Sequence, residues 1–123
     1  MKIDLCGKEL ELNVDLADAK EVEKLEVSVS ELTKKLVETE GQTKKKFSQI
    51  IREEVKHTRD WLDQMFGEGT GERVLAEDDS LHDVYLVLRT MSNLHRLYSA
   101  QIVNDAIEKA LKKYSPERAK RSE

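Results

Sequence analysis

Residues 81–114, LHDVYLVLRTMSNLHRLYSAQIVNDAIEKALKKY, run for 34 positions without a glycine or a proline. At about 1.5 Å per residue such a helix spans roughly 51 Å, against a diameter of roughly 35 Å for a compact chain of this length. The stretch predicts one uninterrupted helix that is longer than the body carrying it. Either the molecule is elongated, or one helix end projects toward a partner. Val84, Tyr85, Leu86, Val87 and Leu88 are apolar around more than a full turn, and a helix apolar on all sides is buried on all sides. A protein of this kind works by contact.

Within the stretch, Leu81, Val84, Leu88, Met91, His95, Tyr98 and Ile102 recur at three-four spacing. His95 interrupts that stripe. A polar residue on a seam can fix register or partner choice, although a core histidine with one hydrogen-bond partner is the plainer reading. Leu86, Val87, Leu94 and Leu97 lie off the stripe, and Val103, Ile107, Leu111 and Tyr114 continue a second one. A helix facing two neighbours in a bundle would use both. The competing expectation is that part of the second face is exposed and binds a partner, because helix-in-groove recognition uses anchors at such spacing. On that expectation Leu94, Leu97, Val103, Ile107 and Leu111 are the candidate partner-binding residues.

Outward from this helix, the five glycines mark boundaries: Gly7, Gly41, Gly67, Gly69 and Gly71. Ile3 and Leu5, then Leu10, Leu12 and Val14, alternate with polar residues on either side of Gly7, which predicts a β-hairpin. Val22, Leu25, Val29, Leu32 and Leu36 form a narrow a/d seam in a helix from Leu16 to Glu40, closed by Gly41. A second helix, from Thr43 to Phe66, carries Phe47, Ile50, Ile51, Val55, Trp61, Leu62, Met65 and Phe66. Thr70 then caps a short turn of helix, and the acidic loop Glu77, Asp78, Asp79 precedes the long helix, where negative charge favours a helix start. Pro116 is expected to forbid its continuation. The expected fold is mainly α with an α+β start: a hairpin over 1–15, then two long helices, a short helix and a C-terminal long helix in an elongated bundle over 16–114. One domain covers 1–115, and 116–123 is a flexible basic tail.

Composition narrows the function. Charged residues make up 37% of the chain and the net charge is −4, without the basic footprint of a nucleic-acid reader. The lone cysteine, Cys6, forbids an internal disulfide and fits a reducing compartment; beside Gly7 it reads as a turn filler. The start MKIDLCGKELEL lacks the apolar core of a signal peptide, and no apolar run reaches the roughly 18 residues of a membrane helix. A cytoplasmic protein is expected.

No catalytic constellation can be assembled. The loop Gly67-Glu68-Gly69-Thr70-Gly71 follows a helix where phosphate loops follow a strand, and Glu68 and Glu72 would repel a phosphate. It reads as a sharp helix-to-helix turn. Glu54-x-x-His57 is half of a di-iron signature, but a second copy is missing, so Glu54 and His57 read as residues of a solvated face. No Ser-His-Asp set, Cys-His pair or inward carboxylate pair emerges. Neither an enzyme nor a metal or other cofactor is expected.

The segments Phe47-Ser48-Gln49-Ile50-Ile51-Arg52-Glu53-Glu54 and Asp60-Trp61-Leu62-Asp63-Gln64-Met65-Phe66-Gly67-Glu68-Gly69-Thr70, with the MKI-type opening, resemble small tail assembly chaperone-like proteins of phages and prophages of Gram-positive bacteria. The likeness runs from Met1 to about Leu111 and is most specific over Met65–Thr70. Leu75-Ala76 departs from it, since many relatives carry Phe-Gly there. The resemblance implies a protein of the bacterial host cytoplasm that coats the helical tape measure protein, helps recruit tail tube subunits, and self-associates. Neither nucleic acid nor membrane is among the implied partners. The alternatives from the residues alone are a homo-oligomeric structural adaptor and a small regulatory inhibitor that masks another protein.

Overall fold

Cys6 and Gly7 reverse the chain between β1 (Lys2–Leu5) and β2 (Lys8–Glu11). The strands pair antiparallel with Leu5 opposite Lys8, which leaves a two-residue loop. Both loop residues have positive φ, 54° and 80°, as the type I′ turn that matches strand twist requires. The two-residue period puts Ile3, Leu5 and Leu10 on one face, and all three are buried together with Leu12. An isolated hairpin is marginal in water; this one lays β1 against the helix α4 (Leu81–Ser92) of the same chain. The computed structural model describes the backbone of residues 1–76 and 80–122, and side chains among them up to residue 113. The acidic loop expected at Glu77, Asp78 and Asp79 lies outside the described residues, as do the side chains from Tyr114 onward.

Asp18 caps α1 (Ala19–Glu40) by accepting from the Lys20 N–H at 2.9 Å. This satisfies one of the orphan donors of the first turn. The a/d seam holds: Leu25, Leu32 and Leu36 are buried, with Val22 and Val29 half-buried. Gly41 ends the helix as expected, but in right-handed backbone (φ −74°), so its conformational freedom goes unused. The next helix, α2 (Phe47–Phe66), starts later than the predicted Thr43. Ile50, Val55, Trp61 and Leu62 are buried, whereas Phe47 at its head is 71% exposed. Trp61 packs edge-on to Phe66 with centroids 6.5 Å apart. Its indole donates to Ser28 Oγ at 2.8 Å, pinning α2 to α1.

The glycine-rich turn then leads into α3 (Thr70–Val74). Gly67 (φ 113°) and Gly69 (φ 90°) occupy backbone that side chains avoid. Gly71 serves a different purpose: a Cβ there would lie 2.8 Å from the Arg59 Cα. The Asp63 carboxylate accepts from the Gly71 N–H at 2.7 Å, and the Arg59 guanidinium donates twice to the Leu75 carbonyl, from Nε at 2.8 Å and from Nη2. The sharp helix-to-helix turn read from the sequence is present and is fastened from the α2 side.

The predicted single helix over 81–114 is not observed. It is two helices, α4 (Leu81–Ser92) and α5 (Leu94–Ser122), broken at Asn93. The Asn93 carbonyl accepts the Leu97 N–H at 3.1 Å, so Asn93 stands at the head of α5. The short polar side chains of Ser92 and Asn93 compete for backbone hydrogen bonds and favour caps over helix interiors. The buried stripe also differs from expectation. Val84, Val87 and Met91 are buried on α4, while His95 is exposed and occupies no seam. The backbone of α5 continues through Pro116 to Ser122, beyond the predicted end. Proline removes one i→i−4 bond, and the helix carries that loss.

The mainly helical fold with an N-terminal hairpin is as read from the sequence. Its contacts fall into two units, 1–92 and 93–123. In the first unit α2 is central, packing on α1, α3 and α4. Leu5, Val55, Leu62, Leu75, Val84 and Val87 form its innermost layer. The second unit is α5.

Candidate functional site: the exposed face of α5

Every described residue from 101 to 113 is exposed. Among them are Ile102 (48%), Val103 (54%), Ile107 (52%) and Leu111 (55%), and Leu97 one turn earlier is 46% exposed. At about 100° per residue, Val103, Ile107, Leu111 and Leu97 fall within roughly 120° of arc, with Ala100 inside it and Arg96 and Asn104 interspersed. Asp105, Lys109 and Lys112 lie on the far side, and Gln101 and Glu108 flank the arc beside Leu97. Four of the five predicted contact residues thus share one exposed apolar stripe. The fifth, Leu94, is 3% exposed and so lies in the core, not on the stripe. Ile102 was placed on the first stripe by its spacing, yet it is as exposed as the others, though about 100° away from Val103.

A second group is polar and lies inside the first unit. Glu54, read as part of a solvated face, is 1% exposed. Ile50, Glu54, Trp61 and Met65 stand at four, seven and four residue intervals on α2, so Glu54 sits on the apolar stripe. His57 is half-buried. The Glu54 carboxyl is pushed up to about 7, first by burial and then by the neighbouring Glu40 carboxyl. Glu40 in turn accepts a hydrogen bond from the Tyr85 hydroxyl at 3.1 Å, and the Tyr85 hydroxyl is pushed upward by burial and by Glu40. Among the described residues no three His, Cys, Asp or Glu side chains gather as metal ligands.

Cys6 is half-buried at the hairpin turn, its thiol directed to the Asp83 carbonyl at 3.5 Å. Burial, followed by Asp83 and Asp4, pushes it up to about 11, which keeps it in the unreactive thiol form at neutral pH. No described helix is long and apolar enough to cross a membrane.

Hairpin, packed helical unit and a last helix with exposed apolar side chains define a mainly helical protein. The chain belongs to a family of unknown function, DUF6673, whose model matches residues 8–123. No curated protein matches it. No solved structure matches it either.

Proposed function

We propose that the chain is a tail assembly chaperone that holds the tape measure protein in the host cytoplasm through the Leu97, Val103, Ile107 and Leu111 stripe of α5. One observation carries this reading: four large apolar side chains within one arc of roughly 120° on α5, Leu97, Val103, Ile107 and Leu111, are exposed. The sequence likeness over Met65–Thr70 supplies the client class. Covering side chains already half-hidden contributes about 1–1.5 kcal/mol each before ordering costs. A single contact is therefore weak. Repeated along a helical rod, such contacts give avidity, which suits a chaperone that must leave the finished assembly. The protein works by burial and carries out no reaction, and tail tube subunits are the second partner.

Co-expression tests the reading. The chain should keep a tape measure fragment soluble, and Val103→Asp with Ile107→Asp should abolish that while the circular dichroism spectrum is kept. Full solubilisation by the double variant would refute the assigned face.

A second reading, self-assembly as an adaptor, draws on charge. Residues 1–92 carry a net charge of −7 and residues 93–123 a net charge of +3. The first unit also exposes Val37, Phe47 and Leu86. A basic α5 meeting the acidic unit of another copy would give concentration-dependent, salt-sensitive oligomers without any client.

A further inference from the structure

Glu54 is buried, and neither of its carboxyl oxygens has a hydrogen-bond partner. The nearest hydroxyl on its own helix, that of Thr58, donates to the Glu54 backbone carbonyl at 2.9 Å and is not free for the carboxyl. Of the helices packed on α2, α1 presents Glu40 to it and α4 presents Tyr85. Tyr85 donates to Glu40 Oε1 at 3.1 Å. On α2 itself Glu53 is paired with Lys45 at 2.6 Å, and His57 lies one turn on.

We infer that Tyr85, Glu40 and Glu54 form a proton-operated latch where α1, α2 and α4 meet. With the proton on Glu54, its hydroxyl can donate to Glu40, which already accepts from Tyr85. The three helices then share one polar chain. Without the proton, two carboxylates face each other and one is out of water, an arrangement that costs several kcal/mol. Like charges sharing a site hold the first proton and titrate as a pair. The way to relieve the charged state is to let water reach Glu54, and α4 is the element tied to the group by a single surface-side hydrogen bond. Raising the pH through neutrality therefore loosens α4 from α1 and α2. The inference is independent of the client assigned to α5.

Amide exchange of the full chain, followed over α4 and corrected for base catalysis of the exchange itself, reads this opening. Between pH 6 and 8 the opening equilibrium of α4 should rise about tenfold. Glu54→Gln should remove that dependence. An unchanged opening equilibrium in the parent chain, or an undiminished pH dependence in Glu54→Gln, would overturn the latch. Should Glu54→Gln fail to fold, carbon-13 titration of the parent's Glu54 carboxyl decides: a midpoint near 7 supports the latch, and one near the ordinary 4.5 refutes it.

Discussion

A methyl group on Gly71 would meet the Arg59 Cα at 2.8 Å, so α3 docks on α2 with only a hydrogen between the two backbones. Arg59 cannot retreat without releasing the Leu75 carbonyl it holds. Gly71→Ala should therefore destabilise the first unit by roughly 1–3 kcal/mol, the usual cost of overpacking. Gly41→Ala is the control. Its backbone is right-handed and its nearest neighbour would be at 3.5 Å, so it should be neutral or stabilising by about 0.4–1 kcal/mol. Urea denaturation of the two variants checks both signs.

The indole of Trp61 depends on one serine. Ser28→Ala removes the acceptor at 2.8 Å and strands a partly buried N–H. The expected loss is about 1–2 kcal/mol, with a change in Trp61 emission in the native state. Ser28→Thr keeps the hydroxyl and should recover most of the stability.

Stability should fall as the pH rises from 4.5 toward 7. The unfolded chain releases the Glu54 proton near 4.5, and the folded chain keeps it to about 7. Between those values the folded state binds more protons, so the slope of unfolding free energy against pH is negative. The contribution is fully present below 4.5, is lost progressively across the window, and is flat above it. The total is on the order of 3 kcal/mol. Denaturation midpoints of the parent chain and Glu54→Gln, measured at several pH values, should converge at the acid end and separate at neutral pH.

Cys6 should resist alkylation. With its thiol held up to about 11 rather than 9.0, its thiolate fraction at pH 8 is about a hundredfold below that of a free cysteine. Iodoacetamide labelling of the folded chain should be slower by that order and should recover in denaturant.

Aspartate in the α5 stripe should leave folding alone. Val103 and Ile107 are more than half exposed, so either substitution should shift stability by no more than about 0.5 kcal/mol. Val87→Asp on α4, at a site with 0% exposure, should prevent folding of the first unit. Thermal melts of the three variants make the comparison.

The fold was readable where one short-range rule decided each element. Alternation around Gly7 gave the hairpin, the Leu25–Leu32–Leu36 seam gave α1, and the glycine cluster gave the turn into α3. The break at Asn93 was hidden because apolar residues continue on both sides of it, and the only sign was the polar pair Ser92-Asn93. Burial was harder than helicity. Val87 and Leu94 lie off the stripe phased on Leu81, although its Val84 and Met91 are buried; the buried face is turned by only about 50–60°, enough to exchange Leu88 for Val87 and His95 for Leu94. Glu54 was misplaced for a different reason: its residue type outweighed its position among Ile50, Trp61 and Met65. On α5, the exposure of Leu97, Val103, Ile107 and Leu111 is one of the two outcomes that spacing left open, since an apolar face left over after one stripe is assigned either meets a second helix or stays bare.

The turn at Asn93 also separates two kinds of evolutionary constraint. Residues before it are locked together by shape, so most changes there would be removed by misfolding. Leu94 just after it is still buried, but residues 101–113 are exposed and carry no such packing constraint. On the proposed reading, a lineage could exchange the α5 stripe to follow a changing associate while the body ahead of it stays as it is, and recognition and architecture would drift at different speeds.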